Sequence, residues 1–146
     1  MTAWTMPGMA VQIGLRAYLL ADATLSAAVG GRVYDEAPDD APLPWVELSA
    51  PRCTPAPAEG YMDAADTLLV AKVYADGGAA SVTADTIVGL ITQRLHRCHA
   101  QRGAIAPATI TGHRLCLVQV LGADVERDGP RRRIGLVTIL VNTNAV

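Results

Sequence analysis

The sequence predicts an α+β fold, a mainly antiparallel four- to five-stranded sheet with two main helices packed on one face. Three observations predict it. Residues 9–21 and 81–97 carry apolar side chains at helical spacing; three runs rich in β-branched residues are apolar on both alternating sets; and a Gly-Pro turn separates the last two of those runs. With 146 residues the chain has a common size for one domain. It divides into an N-terminal arm (1–8), exposed loops at 35–44 and 51–66, and a hairpin turn at 126–133.

The opening helix follows from Val11, Leu15, Tyr18 and Leu19, which recur at helical spacing after Pro7 and Gly8. Asp22 is placed to cap a second short segment, ATLSAAV, which buries Leu25 and Val29 and stops at Gly30-Gly31. RVYD follows as a short strand. EAPDDAPLP cannot extend it, because proline lacks an amide proton and biases the residue before it, so this stretch reads as a surface loop. Trp45 begins the strand WVELSA, and Pro51, Pro55 and Pro57 keep that strand from being long and central. Residues 51–66 then read as an exposed loop or bent edge, long enough for a partner contact.

TLLVAKVYA places Leu69, Ala71 and Val73 on one side and Leu68, Val70 and Tyr74 on the other, as in a strand covered on both faces. From Ser81 to Arg97 the residues Ala84, Ile87, Val88, Ile91 and Leu95 step by three and four, the clearest helix in the chain. Gly89 inside it points to close packing on the sheet. HRLCLVQVLGADVE and RRRIGLVTILVNT flank RDGP as a β-hairpin, with Leu115 and Leu117 on one face and Cys116 and Val118 on the other. Two helices cover only one face of such a sheet. Self-association is the economical way to cover the second apolar face.

Composition excludes several classes. The chain is 51% apolar and 18% charged, which argues against disorder, and no apolar run approaches the ~18 residues of a membrane span. No basic-then-apolar start marks export, so a cytoplasmic chain is expected. The net charge of -2 gives no general attraction to nucleic acid, and three cysteines without CxxC spacing fit reduced thiols. The nearest approach to a metal site is His96, Cys98 and His99, with His113 and Cys116 further on. These are zinc ligand types, but the spacing is wrong, and on a helix Cys98 points away from the two histidines. Neither metal nor cofactor is expected.

Ser26, Ser49 and Ser81 lie in no nucleophile elbow, and GGRVYD and DGGAAS lack the marks of a P-loop or a dinucleotide turn. Cys116 reads as a core residue of its strand. The carboxylates Asp35, Glu36, Asp39, Asp40, Asp124, Glu126 and Asp128 gather in loop stretches. Arg127, Arg131, Arg132 and Arg133 form the one basic cluster, around the hairpin turn, where they suit phosphates or an acidic neighbouring subunit.

Four stretches in order are LRAYLLADATLSAAVGGRVYD, APLPWVEL, VAKVYADGGAASVTADTIVGLITQRL and the closing hairpin. Together, over roughly residues 10 to 142, they resemble the tail-completion or tail-terminator proteins of long-tailed bacteriophages and gene transfer particles. APRCTPAPAEGYMDAADT departs from the family pattern, being longer and richer in Ala and Pro. The resemblance implies a non-enzymatic virion protein, assembled in the host cytoplasm, that forms a ring, typically hexameric, at the head-proximal end of the tail tube. Such a ring ends tube polymerisation, meets the tail-tube protein and the head connector, and lets double-stranded DNA pass without sequence-specific binding. No membrane contact is implied. The candidate subunit or partner contacts are Asp39, Asp40, Trp45, Tyr74, Arg127, Arg131, Arg132 and Arg133. Three alternatives stay open: another connector or neck ring protein, a small metal or thiol enzyme built on the His/Cys residues, and a DNA-binding module using the arginine hairpin.

Overall fold

The computed structural model describes residues 6–55, 64–77, 79–96 and 110–145. In chain order the elements are α1 (Gly8–Leu20), α2 (Ala23–Val29), β1 (Val33–Tyr34), β2 (Trp45–Leu48), β3 (Arg52–Pro55) and β4 (Ala64–Ala75). They continue with α3 (Ala80–His96), β5 (His113–Asp128) and β6 (Arg132–Ala145). Residues 1–5 of the expected N-terminal arm lie outside the described residues.

Local chemistry sets the first helices. Asp22 accepts hydrogen bonds from the backbone N–H of Thr24 and Leu25 at 3.0 and 3.1 Å, capping α2. Gly30, at φ 60°, closes α2 in the left-handed conformation that a side chain disfavours.

The sheet corrects the expected architecture. It is a six-stranded mixed sheet in the order β1-β2-β4-β6-β5, with β3 also pairing β4; four of its five pairings are antiparallel, as expected, but it has six strands instead of four or five and one parallel pair. β1 runs parallel to β2 because the proline-rich loop after Tyr34 carries the chain back before Trp45 enters the sheet. Both β2 and β3 line one edge of β4, β2 against residues 71–74 and β3 against residues 65–68.

The segment 51–66, expected as an exposed loop or bent edge, contains the edge strand β3 and the start of β4, its residues 56–63 lying outside the described residues. Pro55 is tolerated in β3 because the outer side of an edge strand needs no ladder bonds. Between β2 and β3 the ladder is held by Ser49, whose N–H donates to the Val70 carbonyl at 2.9 Å and whose hydroxyl accepts from the Val70 N–H at 2.8 Å.

All three helices bury apolar side chains in one core with the same sheet face. Val11, Leu15 and Leu19 of α1, Leu25 and Val29 of α2 and Ile87, Ile91 and Leu95 of α3 cluster with Leu69, Val73, Val137 and Ile139. Gly135 of β6 lies directly under Val88, where an added Cβ would collide with that side chain and come within 3.2 Å of Val73. Gly89, expected to allow this close approach, is exposed and would meet nothing. Polar ties fix α1, among them Arg16 on the Val33 carbonyl at 2.7 Å. Buried Gln12 donates to the carbonyls of Leu48 and Ser49 at 3.1 and 3.2 Å, and Arg94 of α3 donates to the Tyr18 carbonyl while its guanidinium sits 3.9 Å from the Tyr18 ring centre.

The hairpin also differs in detail. β5 and β6 continue to Asp128 and from Arg132, so the turn spans residues 129–131 instead of 126–133, with Gly129 at φ 83°. Register shifts at Leu115/Leu117 and Val120/Gly122 break the strand alternation. As a result Leu115 and Val118 are both buried while Leu117 is 36% exposed, so Leu115 and Leu117 do not share a face. Cys116, expected in the core, is half-buried at the first shift.

Candidate assembly surface

The second face of the sheet carries no helix among the described residues, and the strand register defines it row by row. At one end Trp45, Tyr74, Ile134 and Glu126 are cross-strand partners, followed by Glu47, Lys72, Leu136 and Asp124. The middle row is Val70, Thr138 and Gly122; beyond it come Arg52, Leu68, Leu140 and Gln119. The last row, Thr54, Asp66, Asn142 and Leu117, is fixed by a 2.8 Å hydrogen bond from Asn142 to Asp66. The residues of β4 and β6 on this face are half-buried, whereas those pointing to the helices are buried.

This face has an apolar centre and a polar border. Leu68, Val70, Leu136 and Leu140 lie inside with Thr138 and Lys72, while Glu126, Asp124 and Gln119 border it along β5 and Glu47, Arg52 and Thr54 along β2 and β3. Protein interfaces show the same division between an apolar core and a polar rim. A solvated sheet face instead reads as polar at alternate positions.

Of the expected contact residues, Trp45 and Tyr74 come together: their ring centres lie 5.2 Å apart at 30°. The Tyr74 hydroxyl is held above the ordinary phenol value first by burial, then by the negative charges of Glu47 and Asp128, with Arg132 opposing. The hairpin tip therefore borders this aromatic pair. Arg132 opposes Asp128 and Arg133 opposes Arg127 across the strands, and Arg131 is exposed in the turn. Asp39 and Asp40 are exposed in the loop between β1 and β2, which is tied down by a 3.0 Å bond from the Ala37 N–H to Glu47 and by Arg32 on the Pro44 carbonyl.

The metal reading gains no geometry. Cys98 and His99 lie outside the described residues, His96 is exposed at the end of α3, and His113 and Cys116 begin β5. Among the described residues no group of three or more His, Cys, Asp or Glu side chains is arranged to hold a metal ion. No helix among them is long and apolar enough to cross a membrane.

Sequence reasoning missed an apolar stripe on α1. Met9 and Ile13 are 61% and 58% exposed, directly opposite the buried Val11, Leu15 and Leu19. Its signal was present in the spacing of Met6, Met9 and Ile13, which steps by three and four. It is hidden because α1 is apolar on its core side too.

A family profile described as tail completion protein gp17 matches residues 14–142. No curated protein matches the chain. Among solved structures, a chain from the virion of a native gene transfer agent (GTA) particle is 27% identical with a TM-score of 0.71, and the match covers 92% of this chain and 95% of that one. A fold shared along nearly the whole length, with the family profile spanning the same elements, leaves one assignment. The chain belongs to the tail completion protein gp17 family, a family of structural virion tail proteins and not of enzymes.

Proposed function

We propose that the chain is a tail-terminator subunit: copies of it, typically six, close into a ring on the head-proximal end of the tail tube. There the ring stops tube growth, contacts the tail-tube protein below and the head connector above, and leaves a channel through which double-stranded DNA passes. The observation that carries this reading is the sheet face that no helix covers among the described residues, with Leu68, Val70, Leu136 and Leu140 at its centre and charged residues along its border. Exposed apolar surfaces of this size mark interaction sites, and a repeated head-to-tail contact that closes on itself covers one such face per subunit. The similarity to a chain of a gene transfer agent virion supports placement in a particle.

In this reading the end of the sheet bearing Trp45, Tyr74, Arg127, Arg131, Arg132 and Arg133, together with exposed Asp39 and Asp40, offers charged contacts to neighbours. Those charges confer no sequence-specific DNA binding. Labelling the chain in purified particles and imaging them tests the reading: the label is expected as a single band where tail meets head. Label at the distal tip or along the whole tube would overturn it, and label within the head-side neck with tube length unaffected would favour another connector ring.

A further inference from the structure

The outer side of α1 and the open sheet face lie on opposite layers of the molecule, and both are apolar. α1 carries a single charge, Arg16, in its thirteen residues, and its outward side presents Met9, Ile13 and Ala17. A solvated helix side is ordinarily charged. The open face has the area an interface needs. Twelve residues at ~3.3 Å each, across four strands ~4.8 Å apart, make a surface of about 750 Å², close to the roughly 800 Å² per partner of a stable association. α1, thirteen residues at ~1.5 Å each, is about 20 Å long and ~10 Å wide, so it spans those four strands and covers about a quarter of the face, the residues flanking it covering the rest.

Edge pairing is the other way for sheets to join in sequence, and the described strands offer it little. The outer groups of β1 are already engaged, since the Val33 N–H donates to Gly31 and the Val33 carbonyl accepts from Arg16 at 2.7 Å. The long free edge of β5 therefore has no matching open edge at β1, and the outer edge of β3 is only four residues long and holds Pro55, so contact between layers offers the larger surface.

We infer that copies of this chain join head to tail, the Met9–Ile13 side of α1 in one copy packing on the open sheet face of the next, centred on Val70, Thr138 and Leu140. The occupant of that face is a second copy of this chain. With Glu47, Asp66, Asp124 and Glu126 against Lys72 and Arg52, the face is net acidic, opposite in sign to Arg16, the one charge on the helix. The interface is heterologous, so each copy uses both surfaces once, and a chain of such contacts either closes into a ring or grows. This inference rests on the ring reading above and names the two surfaces that build it.

Two blocked variants test it. Met9→Lys with Ile13→Lys charges the helix side, and Thr138→Arg charges the centre of the sheet face at a position that is already polar and lies beside Gly122. Far-ultraviolet circular dichroism and melting of each monomer verify folding, with Leu140→Lys as a second face variant if Thr138→Arg misfolds. In sedimentation and native mass measurement the unaltered chain is expected as a closed oligomer and each variant alone as a monomer. An equimolar mixture of the two is expected to stop at a one-to-one pair, because each partner keeps one intact surface. An oligomer unchanged by the helix substitutions, or a mixture that stays monomeric, would overturn the interface and leave the ring reading standing. An unaltered chain that stays monomeric would overturn the ring reading itself, and the interface with it.

Discussion

Replacing Gln12 by leucine removes a side chain that, with the Ser49 hydroxyl, answers the break between β2 and β3. The Gln12 amide donates to both Leu48 and Ser49, and Gln12 is 4% exposed, so water does not take its place freely. The Leu48 carbonyl lies at the buried end of this pair. Leaving one such acceptor unsatisfied costs about 1–3 kcal/mol. The Ser49 carbonyl is only part-buried and loses less, while the added leucine surface recovers roughly 1 kcal/mol by burial.

The net destabilisation is about 1–3 kcal/mol, which for a domain of this size lowers Tm by roughly 3–9 °C. Thermal unfolding followed by circular dichroism measures it. Amide exchange at Val70, whose N–H is held by the Ser49 hydroxyl, reports whether the loss is local. Gln12→Glu is expected to cost more at neutral pH and to recover on acidification, since only the protonated acid can donate. A Gln12→Leu chain that melts with the unaltered one and exchanges Val70 at the same rate would refute the role assigned to this amide.

Gly135→Ala is expected to destabilise by about 1–3 kcal/mol, because its methyl meets Val88 and Val73 in a packed layer; a variant that melts at or above the unaltered Tm would show that α3 yields there at no cost. Asp22→Ala removes both cap bonds of α2 and is expected to cost about 1 kcal/mol, read from denaturant unfolding at unchanged m. For Tyr74 the folded hydroxyl holds its proton more tightly than the unfolded one. The stability this contributes is complete below pH ~10 and falls as pH rises through the folded value. In an ultraviolet titration of the folded protein Tyr74→Phe should remove one phenol transition lying above the ordinary value, and an unchanged titration would refute the assignment.

What the sequence made legible was what is decided locally. The Asp22 cap, the Gly30 stop, the periodicity of α3 and the hairpin each depend on residues within one or two turns of themselves, and each lies within a few residues of its expected place. β1 is two residues long and parallel, so no pattern in it could reveal its partner. β3 was hidden by Pro51 and Pro55, which argue against a strand unless the strand lies at an edge. The register shifts in β5 follow from how it meets β6 and the core, and they alone separate Leu115 from Leu117.

The apolar sheet face was legible as a surplus, because both alternating sets of β4 and β6 are apolar and the helices can cover one. Trp45 and Tyr74 were legible as candidates but not as a pair, since their contact depends on the pairing of β2 with the end of β4. The α1 stripe was illegible because Met9 and Ile13 resemble core residues until the packing shows which side of the helix is already full.

The central claim is that this chain ends the tail and prepares it for the head. Particles from a producer lacking only this chain test it most directly, by the length of their tails and the fraction of tails joined to heads. The account predicts tails of uncontrolled length and heads without tails, both restored when the chain is supplied again. Tails of normal length joined to heads in its absence would contradict it.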